Sequence, residues 1–171
     1  CAVAHPGFNA AIDVRPDVYT LKAHGYFSSQ TGPVRPAALE GRSKIELYDV
    51  AGTVAQSQYH FLWPNVTINI NPGFPNLSID VWTPDGPNTT KGFSEQFFGP
   101  GVSDEFAKSL VVFNKQVAAE DDALTDSVQR GLLAGIPDTG RFLTNSEHLV
   151  IHFQKMIVEA AERLNNRPRK C

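Results

Sequence analysis

SDEFAKSLVVFNKQVAAEDDALTDSVQRGLLAG, residues 103–135, decides the fold. Phe106, Leu110, Phe113, Val117, Leu124, Val128 and Leu132 form one apolar stripe, which is the signature of a long amphipathic helix. Ser103 is a good N-cap, and Asp104 and Glu105 complement the positive end of the helix dipole. Gly135 and Pro137 stop the helix. One position breaks the stripe. Between Val117 and Leu124 the period calls for an apolar residue, and the chain has Asp121. A carboxylate there either marks a helix break, pairs with an arginine, or is a metal or proton-transfer group aimed into a cavity.

On the N-terminal side the period changes to two. Val18–Lys22 and Gly25–Ser29 read as short strands, followed by a loop through Arg42. Gln58–Trp63 carries aromatics on both faces, as a strand covered on two sides would. Val66–Asn71 sets Ile68 and Ile70 against Thr67 and Asn69. Leu77–Thr83 sets Leu77, Ile79 and Val81 against Ser78, Asp80 and Trp82, and Thr89–Phe98 is the last strand. Asn71-Pro72-Gly73 and Asp85-Gly86-Pro87 supply turns. A second helix over about Asn145–Asn165 aligns Leu149, Phe153, Met156, Ala160 and Leu164. The expectation is an α+β fold over residues 1–171 in one domain: a curved antiparallel sheet gripped by long C-terminal helices. The opening Cys1–Gly7 reads as the end of a helix cut short by Pro6, with His5 as a capping or surface residue.

Composition narrows the function. The 171 residues carry a formal charge of −3, and the basic residues Arg163, Arg167, Arg169 and Lys170 gather only at the tail, so nucleic-acid binding is not expected. No apolar run approaches about 18 residues, which argues against a membrane span. The two cysteines, Cys1 and Cys171, form no disulfide framework, so a cytoplasmic location is expected. There is no Gly-rich phosphate loop, nucleophile elbow or Cys-x-x-Cys pair. His148 and His152 share a helical face, but Leu149 stands where a zinc protease needs glutamate, so a surface or capping role is expected. His24 and His60 carry no recognisable spacing.

Two distant segments belong together. Cys1-x-x-x-His5-Pro6 and Glu120-Asp121-Asp122-x-Leu124-x-x-x-Val128-Gln129-Arg130-Gly131-Leu132 resemble the catalytic domain of Rieske-type non-haem iron oxygenase α subunits. Phe61-Leu62-Trp63-Pro64-Asn65, Asn71-Pro72-Gly73 and Ser146-Glu147-x-x-x-x-His152-Phe153 support the resemblance, in order, over nearly the whole chain.

The resemblance implies a mononuclear Fe(II) held by two histidines and one aspartate, with His5 as the second histidine and Asp121 as the carboxylate. Such a facial triad leaves positions for O₂ and substrate. Asp122 is the alternative carboxylate, and Glu120 and Gln129 are candidates to support the ligands. The resemblance also places the first histidine just ahead of Cys1 and a Rieske [2Fe–2S] domain further upstream. The chain therefore reads as a catalytic-domain fragment, inactive alone. Its electrons would come from NAD(P)H through a reductase or ferredoxin, and the full-length protein would be a homotrimer or other oligomer. The expected reaction is mono- or dioxygenation of a small substrate. The motifs look most like the choline, betaine and carnitine branch, with the aromatic ring-hydroxylating branch sharing the architecture. Tyr59, Phe61, Trp63 and Trp82 could cage a quaternary ammonium or be plain core. The alternatives are a non-catalytic hydrophobic-ligand-binding module of the same helix-grip fold, in which Asp121 is structural, and a non-catalytic partner subunit.

Overall fold

The computed structural model describes residues 5–36, 54–135 and 139–166. Cys1, Cys171, the loop to Arg42, Pro137 and the basic tail beyond Asn166 lie outside them.

The described residues open on α1 (Pro6–Ala11), with Pro6 as its first residue; the helix that the sequence suggested ahead of Pro6 falls on residues 1–4, outside the described residues. Proline suits that position: at the first helical residue the missing N–H has no partner to lose, and the fixed φ suits the helix. Six strands follow as an antiparallel meander in chain order: β1 (Thr20–His24), β2 (Phe27–Pro33), β3 (Gln56–Leu62), β4 (Val66–Ile70), β5 (Asn76–Pro84) and β6 (Thr90–Phe98). The first two start two residues later than the periodicity suggested: Val18 and Tyr19 are held in a turn by hydrogen bonds to the Arg15 carbonyl, and Gly25 and Tyr26 form the turn between β1 and β2. The long helix is α2 (Asp104–Leu133), with the Ser103 side chain accepting from the Phe106 N–H and Gly135 at φ +73° just past its end. The last helix is α3 (His148–Asn165). Among the described residues, no helix is long and apolar enough to cross a membrane.

The register fixes which residues share a face. Tyr59, Asn69, Ser78 and Gln96 form one row across β3–β6, and Phe61, Thr67, Asp80 and Ser94 form the next. The helices cover this face. Phe8 of α1 packs on Tyr59, and Phe153 of α3 packs on Phe61 and Trp63. The strands that alternate cleanly thus turn their polar set toward the helices, and Ile68, Ile79 and Val81 toward the opposite face. β3 is not covered on both sides, since most of its residues are half-exposed.

The core is small and lies at one end. Ala11, Ile12, Val34, Leu110 and Phe113 are buried together, joined by Phe8, Tyr19, Phe98, Phe106 and Val117. The apolar stripe of α2 is therefore used only in its first half. Leu124, Val128 and Leu132 are 45%, 62% and 61% exposed.

Beside this core, Asp13 is buried and receives hydrogen bonds from Arg15 Nε (3.0 Å) and Nη2 (2.8 Å), with Arg35 Nη1 at 3.9 Å. The Arg15 hydrogen bonds hold its carboxyl below the ordinary value of 3.8, against the effect of burial. A depressed folded pKa contributes stability that is complete above the unfolded value and is lost as pH falls through the folded one. Asp13→Asn should therefore lower stability in urea melts at about pH 7 and match the wild type at about pH 2. Leu110→Ala should cost about 2–5 kcal/mol in the same melts. Val128→Ala, on the exposed half of the stripe, should stay within about 0.5 kcal/mol.

Candidate metal centre

His5 and Asp121 are far apart in sequence, and the fold brings them into contact. His5 occupies the N-cap position of α1, where its carbonyl accepts from the Asn9 N–H at 2.9 Å while its side chain makes no capping bond. The ring is therefore free to reach α2. It can do so because the next turn of α1 approaches α2 closely at Gly7, where a Cβ would come within 3.0 Å of Gln116 Nε2 and 3.7 Å of Glu120 Oε1. His5 Nε2 lies 3.0 Å from Asp121 Oδ1, and His5 Nδ1 lies 3.3 Å from Glu120 Oε2.

An imidazole between two carboxylates poses a proton problem. Neutral histidine has one N–H and one lone pair, so it can donate to only one of the two. A protonated ring would donate to both, a protonated Asp121 carboxyl would donate to Nε2, and a cation between Nε2 and Asp121 would satisfy both without either proton. With Nδ1–H donating to Glu120, the Nε2 lone pair and Asp121 Oδ1 are left facing the same point. Their 3.0 Å separation matches two adjacent octahedral ligands, which bonds of roughly 2.1 Å place about 3.0 Å apart. A carboxylate on the far ring nitrogen is also the usual partner of a metal-bound histidine. The pair fits a divalent metal, although among the described residues no group of three His, Cys, Asp or Glu converges as a complete ligand set.

The electrostatics favour a cation. Burial raises the Asp121 carboxyl above the ordinary carboxylate value, His5 lowers it, and the adjacent Asp122 and Glu120 push it up again. The side chain remains 58% exposed, so solvent screens these effects. Three successive carboxylates with one imidazole leave excess negative charge at the junction of α1 and α2.

The other sequence candidates fall elsewhere. Asp122 follows Asp121 on the exposed side of α2, and His5 meets Asp121. Gln129 reaches Asn88 in the β5–β6 turn (3.5 Å) and takes no part at His5. His148 and His152 are half-buried on α3, so the expected surface role is corrected. His148 Nε2 approaches the Leu21 carbonyl of β1 at 3.4 Å, and His152 Nε2 is buried without a partner among the described residues. Both hold the inner face of α3 because that helix lies against β1. His24 stacks on Phe27 with ring centroids 4.4 Å apart. Of the four cage aromatics, Tyr59, Phe61 and Trp63 pack against Phe8 or Phe153. Trp82 alone keeps an open side. A hollow lined by Phe142 and by Ile151, Lys155 and Val158 of α3 includes none of these groups.

One cluster was missed in the sequence. On the helix-covered face, Asp80 Oδ2 accepts from Thr67 Oγ1 (3.0 Å) and Asn69 Nδ2 (2.5 Å), and Asp80 Oδ1 accepts from Ser94 Oγ (2.5 Å). The polar half of the strand alternation held the signal, because Thr67, Asn69, Ser78 and Asp80 are contiguous once β4 and β5 are paired.

Residues 1–163 match the model of the ring hydroxylating alpha subunit (catalytic domain) family. The carnitine monooxygenase oxygenase subunit of Escherichia coli (strain K12) is 30% identical over 168 residues, covering 93% of this chain and 42% of that protein. The chloroplastic choline monooxygenase of Arabidopsis thaliana is 32% identical over 106 residues, 60% of this chain and 24% of that protein. Among solved structures, a quaternary ammonium Rieske monooxygenase described for carnitine oxidation and inter-subunit electron transfer superposes with a TM-score of 0.71. It is 24% identical, over 92% of this chain and 42% of that one. The monooxygenase CntA in complex with L-carnitine gives 0.67 at 22% identity, over 93% and 41%. These likenesses bear out the α+β architecture of an antiparallel sheet with long helices. The chain spans about 42% of the length of the E. coli relative that it matches. It belongs to the ring hydroxylating alpha subunit (catalytic domain) family.

Proposed function

We propose that this chain is the catalytic-domain portion of a Rieske-type monooxygenase acting on a small quaternary amine of the carnitine or choline kind. The observation that carries the reading is the placement of His5 Nε2 and Asp121 Oδ1 at 3.0 Å, with Glu120 behind the ring. In this reading His5 and Asp121 supply two of the three protein ligands to a mononuclear Fe(II), and the family's other histidine falls ahead of Cys1. The iron, when bound, supplies O₂ activation.

The chain's own residues have separate tasks. Glu120 accepts the Nδ1 proton and so fixes the tautomer and the ring plane of His5. Asp121 offers an anionic oxygen from a rigid helix, and the close approach at Gly7 holds both donors in register. Electrons would arrive from an upstream Rieske [2Fe–2S] domain, supplied from NAD(P)H through a reductase or ferredoxin, in a cytoplasmic homotrimer or other oligomer. The structural neighbour described for inter-subunit electron transfer supports that arrangement.

Metal analysis of the protein joined to its upstream domain tests the site. Asp121→Ala should lose the mononuclear iron and product formation while the [2Fe–2S] spectrum persists. Asp122→Ala should retain both, and iron kept by Asp121→Ala would overturn the assignment. Glu120→Gln should keep the ligands but weaken iron binding by about 10–100-fold, read by chelator competition.

A further inference from the structure

α1 carries His5 at its N-cap, yet little in its own six residues makes it a helix. Gly7 and Asn9 are poor helix formers, and an isolated helix shorter than roughly 12–15 residues is marginal even with good ones. Its first turn holds no acidic residue and its last turn no basic one. Tertiary contacts therefore hold it in place. Phe8 on Tyr59 and the buried Ala11 and Ile12 supply the apolar part. The polar part falls to a residue from outside the helix.

That residue is Arg35, just beyond β2. The chain leaves α1 before its last carbonyls are paired. The Asp13 N–H, which would bond the Asn9 carbonyl in a longer helix, turns instead to the Pro33 carbonyl (2.9 Å). Arg35 takes its place. Its Nε donates to the Asn9 carbonyl oxygen (2.5 Å) and its Nη2 to Asn9 Oδ1 (2.9 Å). Its backbone N–H donates to the Ala11 carbonyl oxygen (2.8 Å). The planar guanidinium makes both Asn9 bonds in one fixed fork, which the single ammonium of a lysine does not match. Its charge also meets the negative end of the helix dipole.

From Asn9 the restraint passes to His5 in one step, because the Asn9 N–H donates to the His5 carbonyl oxygen (2.9 Å). Arg35 thus grips both the carbonyl and the side chain of the residue whose amide fixes the His5 backbone. The His5 ring makes no bond within α1, and its two nitrogens face Glu120 at 3.3 Å and Asp121 at 3.0 Å. A metal-ligand pair keeps its geometry only within about 0.5 Å, so a loosened α1 would separate the donors.

We infer that Arg35 is a positioning residue for the candidate metal centre, holding His5 in register with Asp121 through Asn9. The inference rests on the metal-site reading above, but its first test needs no metal. In the full chain without metal, NOEs from the His5 ring protons to the Glu120 and Asp121 side chains read the register. They should be present in the wild type and lost in Arg35→Gln. Arg15→Gln breaks the neighbouring bonds to Asp13 without touching Asn9, so it should lower the urea midpoint and keep the NOEs. Asn9→Ala should weaken them, and Asn9→Asp, which keeps an acceptor for Nη2, should restore them. In the protein joined to its upstream domain, Arg35→Gln should weaken iron binding by about tenfold with the [2Fe–2S] spectrum unchanged. Three outcomes overturn the inference: no such NOEs in the folded wild type, NOEs kept in folded Arg35→Gln, or NOEs lost equally in Arg15→Gln, which would leave Arg35 a role in stability alone. If Arg35→Gln does not fold, the Asn9 pair decides, and equal NOEs in Asn9→Ala and Asn9→Asp overturn the inference. Joined wild-type protein without mononuclear iron counts against the oxygenase reading and leaves the NOEs to decide on Arg35. Iron held equally by wild type and Arg35→Gln counts against this inference alone.

Discussion

The close approach of α1 to α2 at Gly7 governs the rest of the molecule. A Cβ at that position would sit 3.0 Å from Gln116 Nε2 and 3.7 Å from Glu120 Oε1, so the two helices lie close enough for His5 to reach the acidic turn of α2. The same contact carries Phe8 onto Tyr59 and leads the chain into Ala11 and Ile12, which are fully buried against Leu110 and Phe113. Core and site are thus built by one junction. The stability of the first half of α2 comes from that burial, while the acidic turn follows directly after it.

The sheet shows a division of labour that hydrophobic patterning alone would assign the other way. In most two-layer folds the apolar face of a sheet meets its helices. Here the helices lie on the face of Thr67, Asn69, Ser78, Asp80 and Gln96, with Ser94 exposed at its margin, while Ile68, Ile79 and Val81 lie on the opposite face. Asp80 gathers three donors, and the Gln96 carbonyl oxygen is buried without a partner among the described residues. Such a surface costs free energy as a packing layer, since polar groups must be desolvated and paired. It is suited to a polar or charged small molecule. A module enclosing a purely apolar ligand would need the other face turned inward, which weighs against that alternative.

Much of the fold was legible in the sequence because its signals are local. Period-two alternation, Asn-Pro-Gly and Asp-Gly-Pro turns and the Ser103 cap located the last four strands and α2 to within about two residues. Pro6 opens α1, which the sequence did not suggest because proline both ends and begins helices; the helix read ahead of it lies outside the described residues. The inner face of the sheet was not legible either, because alternation gives two faces without naming the covered one. His5 was read from the residues alone as a cap, and only the pairing of α1 with α2 gives its ring another task. Asp121 was visible as a break in the stripe. The Asp80 cluster was not, since it exists only once three strands are in register.

The exposed second half of α2 completes the physical account. Leu124, Val128 and Leu132 continue the stripe that buries Leu110 and Phe113, so their exposure does not come from a change of helical phase. It comes from what lies opposite. The first half of α2 packs with Phe74, Phe98 and Ile12, whereas in its second half Gln129 reaches Asn88 in the β5–β6 turn. The long helix thus has two tasks along its length: its first half builds the core, and its acidic turn presents Asp121 to His5.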